Sequence, residues 1–195
     1  MSSKFEPLFK SDSDWKFNAC LNFQHDMTYG YVEGYKIAAE TLVEKIGSSH
    51  RNQDFLAYPI VFLYRHHIEL LLKGIIDTGR KYLKGESGFP KHHKIENLWP
   101  EVKGMARKII DQDISHECDF VDHVIREMSS VDPDSMSFRY ATDKQGEKAA
   151  SEVTNFSLKH FSEQISKASE ILDNFDNMIS ISLDHKNEFM SDFGL

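Results

Sequence analysis

The sequence predicts an all-α fold, an antiparallel up-and-down bundle of about five helices with one long ordered loop. Two observations predict it. The 195 residues include only 5 prolines and 10 glycines, and apolar residues recur three and four positions apart along most of the chain, which is the spacing of an amphipathic helix. Alternation of β-branched and polar residues is scarce, which disfavours a sheet. The length suits a single domain.

The first two predicted helices lie in the first half of the chain. Residues 31–46 carry one apolar face, and the stretch 47–49 (GSS) closes the helix. Residues 54–83 form a second helix that is apolar almost all round, so we expect it at the centre of the bundle. Pro59 lies near its first turns, where proline is tolerated or starts the helix.

Two shorter helices and a loop follow. A third helix is predicted over residues 96–111, with Pro100 in its first turn. Ser115 has the character of an N-cap for the fourth helix, whose predicted buried stripe is Cys118, Val121, Val124, Ile125 and Met128. The stretch 129–146 is dense in turn residues and predicts a long ordered loop, with a short extended piece at 138–140.

The end of the chain predicts one long helix and a tail. A 3.6-residue apolar period continues from Val153 to Ile179, whereas residues 183–195 have no clear apolar face. The predicted organisation is therefore an N-terminal extension at 1–26, a helical bundle at 27–182 and a C-terminal tail at 183–195.

Hydropathy and cysteine usage bear on the compartment. The longest apolar run, residues 60–76, is interrupted by five polar or charged residues, and the first fifteen residues lack the apolar region of a signal peptide. The two cysteines, Cys20 and Cys118, form no CxxC pair. We expect a cytoplasmic protein with reduced thiols and no membrane partner.

The charge balance excludes one class of nucleic-acid binder. Aspartate and glutamate number 31 against 23 lysines and arginines, a formal net charge of −8. Proteins that hold nucleic acid tightly through many phosphate contacts usually carry a basic face. No dense basic run occurs here, which argues against tight sequence-independent binding, whereas a few cations that converge on one RNA segment are compatible with the composition.

Polar residues inside the most apolar helix are the first candidate site. Arg65, Glu69 and Lys73 are spaced by four residues and share one face, and His66 borders that face. Charged groups on a central helix are costly to desolvate unless they are paired. One interpretation is a structural ladder of ion pairs. The other is a cleft in which Glu69 orients Arg65 or His66 toward a ligand.

Two further segments supply candidates for the same cleft. His93 precedes the third helix and suits either a capping role or a place in the cleft. Arg139 and Tyr140 lie in the long loop, which could either direct Arg139 at the central polar face or be a surface loop pinned by Phe138. A cluster around the fourth helix has metal-binding residue types but no matching pair on a loop, so we expect neither a metal site nor a cofactor. Its members are His116, Cys118, Asp119, Asp122 and His123.

In three segments the sequence resembles the HEPN superfamily, the small α-helical domains of prokaryotic toxin–antitoxin and phage-defence systems. The segments are 59–73 (PIVFLYRHHIELLLK), 93–99 and 138–140. The resemblance implies an up-and-down bundle of four or five helices that often dimerises. Many members are metal-independent ribonucleases with an Arg-x4–6-His motif, and others bind nucleotides or partner proteins.

The chain departs from the family at that catalytic motif. None of its arginines has a histidine five to seven positions downstream, and Arg107 and His116 are nine apart. Nuclease activity therefore does not transfer residue by residue. The arginines are Arg51, Arg65, Arg80, Arg107, Arg126 and Arg139.

Three functions fit the sequence. The first is a cleft that binds a nucleotide, RNA or another anion, with ligand-binding residues Arg65, Glu69, Lys73, Arg139 and Tyr140. The second is a metal-independent ribonuclease with a remodelled site, in which His66 or His93 serves as general acid or base and Arg65 stabilises the phosphorane. The third is a non-catalytic helical interaction module. The expected partners are an antitoxin or defence protein and a second copy of the chain in a homodimer.

Overall fold

The computed structural model describes residues 5–24, 27–143 and 145–192. Over these residues the chain is helical without a strand, and one isolated bridge joins Thr142 to Lys148. The all-α helical fold is thus confirmed. No described helix is long and apolar enough to cross a membrane. After a short 3-10 helix at Trp15–Phe17, the helices are α1 Thr28–Ser49, α2 Gln53–Lys84, α3 Ile95–Ile109, α4 Ser115–Val131 and α5 Leu158–Asp192.

Helix α2 is the centre of the bundle, as its sequence predicts. It packs against α1, α3 and α5, and Ile60, Ile68, Leu72 and Ile76 on it are fully buried. Residues 60–80 of α2 include no exposed residue, because the helix contacts neighbours on several sides there, and this is why the stretch is apolar almost all round. The polar side chains of α2 are consequently held inside the protein or at the edge of its contacts.

Several helix ends differ from the predicted ones. Helix α1 continues through 47–49 and ends at Ser49, and the capping residue His50 has a left-handed backbone (φ 53°). Pro59 lies inside α2 and does not start it. Ser115 is the first residue of α4 and not its cap; its backbone N–H donates to Asp113 Oδ1 over 3.0 Å. Such ends depend on local hydrogen bonds that apolar periodicity does not report.

The loop between α4 and α5 is folded and not extended at 138–140. The backbone N–H groups of Arg139 and Tyr140 both donate to the carbonyl of Met136, over 3.1 and 3.2 Å. The side chain of Asp132 accepts from the N–H groups of Met136 and Ser137 over 2.7 and 2.9 Å. One buried carboxylate therefore organises the start of the loop and turns it back toward α2.

Helix α5 covers most of the predicted tail. It starts at Leu158 and continues to Asp192. Val153 and Phe156, which the apolar period places in this helix, therefore precede it. Lys186 extends the contact with α2 by donating to the carbonyl of Tyr82. The parts of the predicted extension and tail at 1–4, 25–26 and 193–195 lie outside the described residues.

Candidate functional site

Arg65 is a fully buried cation at the middle of α2. The Nε of Arg65 lies 3.2 Å from the carbonyl oxygen of Asp132 and 3.4 Å from Oδ2 of the same residue. The Nη2 of Arg65 donates to the carbonyl of His93 over 3.1 Å. Nη1 lies 3.5 Å from Oε2 of Glu69. Burial lowers the pKa of Arg65, while the carboxylates of Asp132 and Glu69 act to raise it. The guanidinium thus fastens the loops before α3 and after α4 to the central helix.

Glu69 lies one turn further along α2 and is 1% exposed. Its Oε1 accepts hydrogen bonds from Lys73 Nζ and His93 Nδ1, each over 2.8 Å. Burial by itself would raise the pKa of Glu69, but the hydrogen bonds from Lys73 and His93 outweigh it and lower the pKa below its ordinary value. The carboxylate is therefore ionised at neutral pH and joins Arg65 and Lys73 into one buried ladder.

His66 lies beside this ladder, with part of its ring at the surface. Its Nδ1 is 4.0 Å from Oε2 of Glu69, and 24% of its side chain is exposed. The ring meets Tyr35 edge-on, with 4.4 Å between the centroids, and lies parallel to Phe62 at 5.9 Å. Burial lowers the pKa of His66 below 6.5, and nearby cations act in the same direction, while Glu69 opposes them. His66 is therefore mostly neutral at pH 7.

His93 brings an exposed ring to the same carboxylate. Its side chain is 66% exposed, and its Nδ1 donates to Glu69 because an ionised carboxylate only accepts. This bond fixes the orientation of the ring and leaves Nε2 available to a ligand. An ion pair of 3.2 Å between Lys94 and Asp134 ties the same segment to the loop after α4.

Arg139 lies on the same side of α2 as His66. Its Cζ is 5.6 Å from the ring centroids of both Phe62 and Tyr140, and the Phe62 ring is the one that stacks on His66. Arg139 is exposed, and Tyr140 is 54% exposed. We call the four side chains His66, His93, Arg139 and Tyr140 the polar rim.

The structure divides the predicted site residues into two groups. Arg65, Glu69 and Lys73 form the buried ladder, whose charged groups are directed at one another and at the protein. In the polar rim, His93, Arg139 and Tyr140 are exposed, and His66 is half-buried. Two important residues were missed. Asp132 holds Arg65, and its position directly before Pro133 at the end of a helix was an available signal. Phe62 links His66 to Arg139, but nothing in the sequence distinguishes it from other core residues.

His67 has a structural role. It is fully buried, and its ring nitrogens lie 2.9 Å from the carbonyl of Val32 on α1 and 2.7 Å from Oγ of Ser169 on α5. Burial lowers its pKa below 6.5. The neutral ring joins α1, α2 and α5.

Within the described residues, no three histidine, cysteine, aspartate or glutamate side chains are placed to hold a metal ion together. In the cluster around α4, Asp122 accepts instead from Trp99 Nε1 and pairs with Lys103.

No protein-family model matches the chain. Comparisons with curated proteins and with solved structures likewise find no significant match.

Proposed function

We propose that the polar rim binds a phosphate group of a nucleotide or of a single-stranded RNA segment. The observation that carries this proposal is the Phe62 ring, which stacks on His66 with 5.9 Å between the centroids and has the Arg139 Cζ 5.6 Å from its own centroid. An exposed arginine and two histidines thus share one surface with an exposed tyrosine. Sites that bind nucleotides or single-stranded RNA usually combine cations, which contact the phosphates, with aromatic rings, on which the bases stack.

Arg139, His93 and Tyr140 of the polar rim each have a distinct part in this proposal. Arg139 supplies a permanent charge and the planar fork that suits phosphate oxygens. His93 donates from Nε2 to a phosphate oxygen when its ring is protonated, and the exposed ring of Tyr140 offers a stacking surface for a base. Glu69 of the buried ladder positions His93. Arg65 itself contacts no ligand, because it is fully buried among protein acceptors.

Fluorescence anisotropy with labelled oligouridylate at low salt tests this proposal. Arg139→Ala should weaken binding by at least about tenfold, since hydrogen bonds to charged groups are worth about 1.5–3 kcal/mol. Arg126→Ala is the matched control, because Arg126 is exposed on α4 and lines a different hollow with Trp99 and Pro100. Equal affinities of all three proteins, or no binding at low salt, would contradict the proposal.

Metal-independent RNA cleavage is the second candidate, and a specific contact favours it. Glu69 orients His93 over 2.8 Å, while the largely neutral His66 lies 4.0 Å from the other carboxylate oxygen. A neutral histidine can accept the 2′-hydroxyl proton, and a protonated one can donate to the leaving oxygen. His66→Ala and His93→Ala should each lower a cleavage rate measured in EDTA by about 10²-fold or more. Intact RNA across the neutral range would exclude this candidate.

The biological setting is also part of the proposal. A prokaryotic defence or toxin–antitoxin context, with an antitoxin or other defence protein as partner, rests on the resemblance of 59–73, 93–99 and 138–140 to HEPN domains. Co-purification of the chain with the product of an adjacent gene would test it. An adjacent gene product that neither binds the chain nor alters RNA binding would count against this setting.

A further inference from the structure

A cavity of about 550 Å³ lies where the start of α1, the second half of α2 and the middle of α5 meet. Its volume is in the range of small-molecule sites, and no member of the polar rim lines it. Leu70 and Leu71 on α2 contribute apolar wall, and the rings of Tyr29, Tyr31 and Phe89 line the same cavity while remaining at least 49% exposed. The cavity is therefore a second candidate site, separate from the polar rim, with room for an organic molecule.

The lining of this cavity carries more negative than positive charge. Two lysines face four carboxylates, which are those of Glu33 on α1, Asp77 on α2, and Asp173 and Asp176 on α5. Both lysines already have partners, because Lys73 donates to Glu69 over 2.8 Å and Lys81 pairs with Asp77 over 2.6 Å. Among the described residues, no cation lies within ion-pair distance of the other three carboxylates. The cavity thus favours a positively charged ligand.

Asp176 gives an independent indication of a ligand. Its Oδ1 is a buried oxygen that accepts no hydrogen bond from any described residue, although buried acceptors usually have a partner. Burial raises the pKa of Asp176, and the like charge of Asp173 acts in the same direction, while Thr78 opposes them. Burial also raises the pKa of Asp173, against the effect of Lys36. A cationic donor that entered the cavity would satisfy this oxygen and offset the repulsion between the two carboxylates.

The distribution of the carboxylates favours an extended ligand over a single ion. Glu33, Asp173 and Asp176 line one cavity, but no three acidic, histidine or cysteine side chains of the described residues are placed to hold a metal ion together. A molecule that carries separate charges on a flexible chain can reach carboxylates that one ion cannot. The methylene groups of such a chain suit the apolar wall, and exposed aromatic rings attract ammonium groups.

We propose that this cavity binds a linear polyamine, whose ammonium groups pair with Asp173, Asp176 and Glu33 while its methylene chain contacts Leu70 and Leu71. A primary ammonium group has three N–H donors, so one such group can serve Oδ1 of Asp176 and the neighbouring carboxylate of Asp173 together. The rings of Tyr29 and Tyr31 add cation–π attraction. This site goes beyond the phosphate site and does not depend on it.

Isothermal titration calorimetry of the full chain with spermidine, at physiological salt and without RNA, tests the proposal. Asp176→Asn should weaken binding by at least about tenfold, because it removes a charged acceptor from the cavity. Asp184→Asn is the matched control, since Asp184 is exposed on α5 and does not line the cavity; its affinity should equal that of the wild type. Attraction by the net charge of −8 alone would weaken both variants equally, and that result would overturn the proposal.

Thermal unfolding supplies a second readout. Without ligand, Asp176→Asn should be at least as stable as the wild type, because burial disfavours the ionised carboxylate; where it does not fold, Glu33→Gln on α1 replaces it. Spermidine should raise the thermal midpoint of the wild type and of Asp184→Asn but not that of the cavity variant, since a ligand stabilises the state that binds it. Absence of binding to the wild type, or displacement of spermidine by magnesium chloride beyond the effect of sodium chloride at equal ionic strength, would overturn the proposal.

Discussion

Nδ1 of His93, on an exposed ring, lies 2.8 Å from Oε1 of Glu69, a carboxylate that is almost completely buried. The same oxygen accepts from Lys73, and the other carboxylate oxygen lies 3.5 Å from Arg65. The surface of the candidate site is thereby attached to the buried ladder of the central helix. Stability and ligand binding should therefore respond differently to substitutions in the ladder and in the polar rim.

Two arginines should separate these effects. Arg65→Met leaves the buried carboxylate of Asp132 without its cation and takes one of the two cations from Glu69. Breaking a buried pair in this way costs about 3–5 kcal/mol. Arg139→Met removes an exposed cation and should change the free energy of unfolding by no more than about 0.5 kcal/mol. Urea denaturation measures both, and equal destabilisation would show that the ladder is not what fastens the loops.

His67 should make the protein less stable in mild acid. Burial lowers its pKa below 6.5, so the unfolded chain binds a proton more readily than the folded one. The free energy of unfolding consequently falls as the pH drops below about 6.5. His67→Gln should reduce this slope, although it also loses hydrogen-bond geometry to Val32 and Ser169 at neutral pH.

Urea denaturation at a series of pH values measures that slope. His66→Gln should reduce the slope in the same way as His67→Gln, because burial also lowers the pKa of His66. The pKa of Asp173, near His67, is raised by burial, so protonation of this carboxyl contributes a slope of the opposite sign, which the wild type and both variants share. An unchanged slope in His67→Gln between neutral pH and about pH 5.5 would contradict the assignment.

The sequence predicts the local part of this structure better than the long-range part. The i, i+4 spacing places Arg65, Glu69 and Lys73 together on any helix, so their ladder follows from the sequence. The contact between Arg65 and Asp132 joins residues 67 positions apart. Periodicity carries no information on which loop returns to which helix, so both this contact and the position of Arg139 over Phe62 required the folded chain.

Two glycines of α2 should respond differently to alanine. A Cβ on Gly74 would meet nothing within 4 Å, whereas a Cβ on Gly79 would lie 2.6 Å from Sδ of Met105 on α3. Alanine is favoured over glycine in a helix interior by up to about 1 kcal/mol. Gly74→Ala should therefore stabilise the protein, and Gly79→Ala should gain less or lose stability.

A double-mutant cycle tests the reason for this difference. In the Met105→Ala background the close contact is gone, so Gly79→Ala should recover the helix-propensity gain, measured as the free energy of unfolding. The effect of Gly74→Ala should be the same in both backgrounds. Additive effects of the changes at Gly79 and Met105 would show that the two helices do not meet closely at this point.

The pH dependence of RNA binding tests the polar rim most directly. Oligouridylate suits this experiment because phosphodiesters and uracil keep their charge between about pH 5 and 8. In the free protein burial holds the pKa of His66 below 6.5, and a bound phosphate favours the protonated ring. Binding of the oligonucleotide is then accompanied by the uptake of a proton by His66. As the pH falls from about 8 to 5, the affinity should therefore rise, with a slope that approaches tenfold per pH unit. His66→Gln should flatten the profile, whereas His116→Gln, an exposed position on α4, should retain it. A profile that stays steep in His66→Gln would assign the proton to another group, and a flat wild-type profile would leave Arg139 as the phosphate contact without His66.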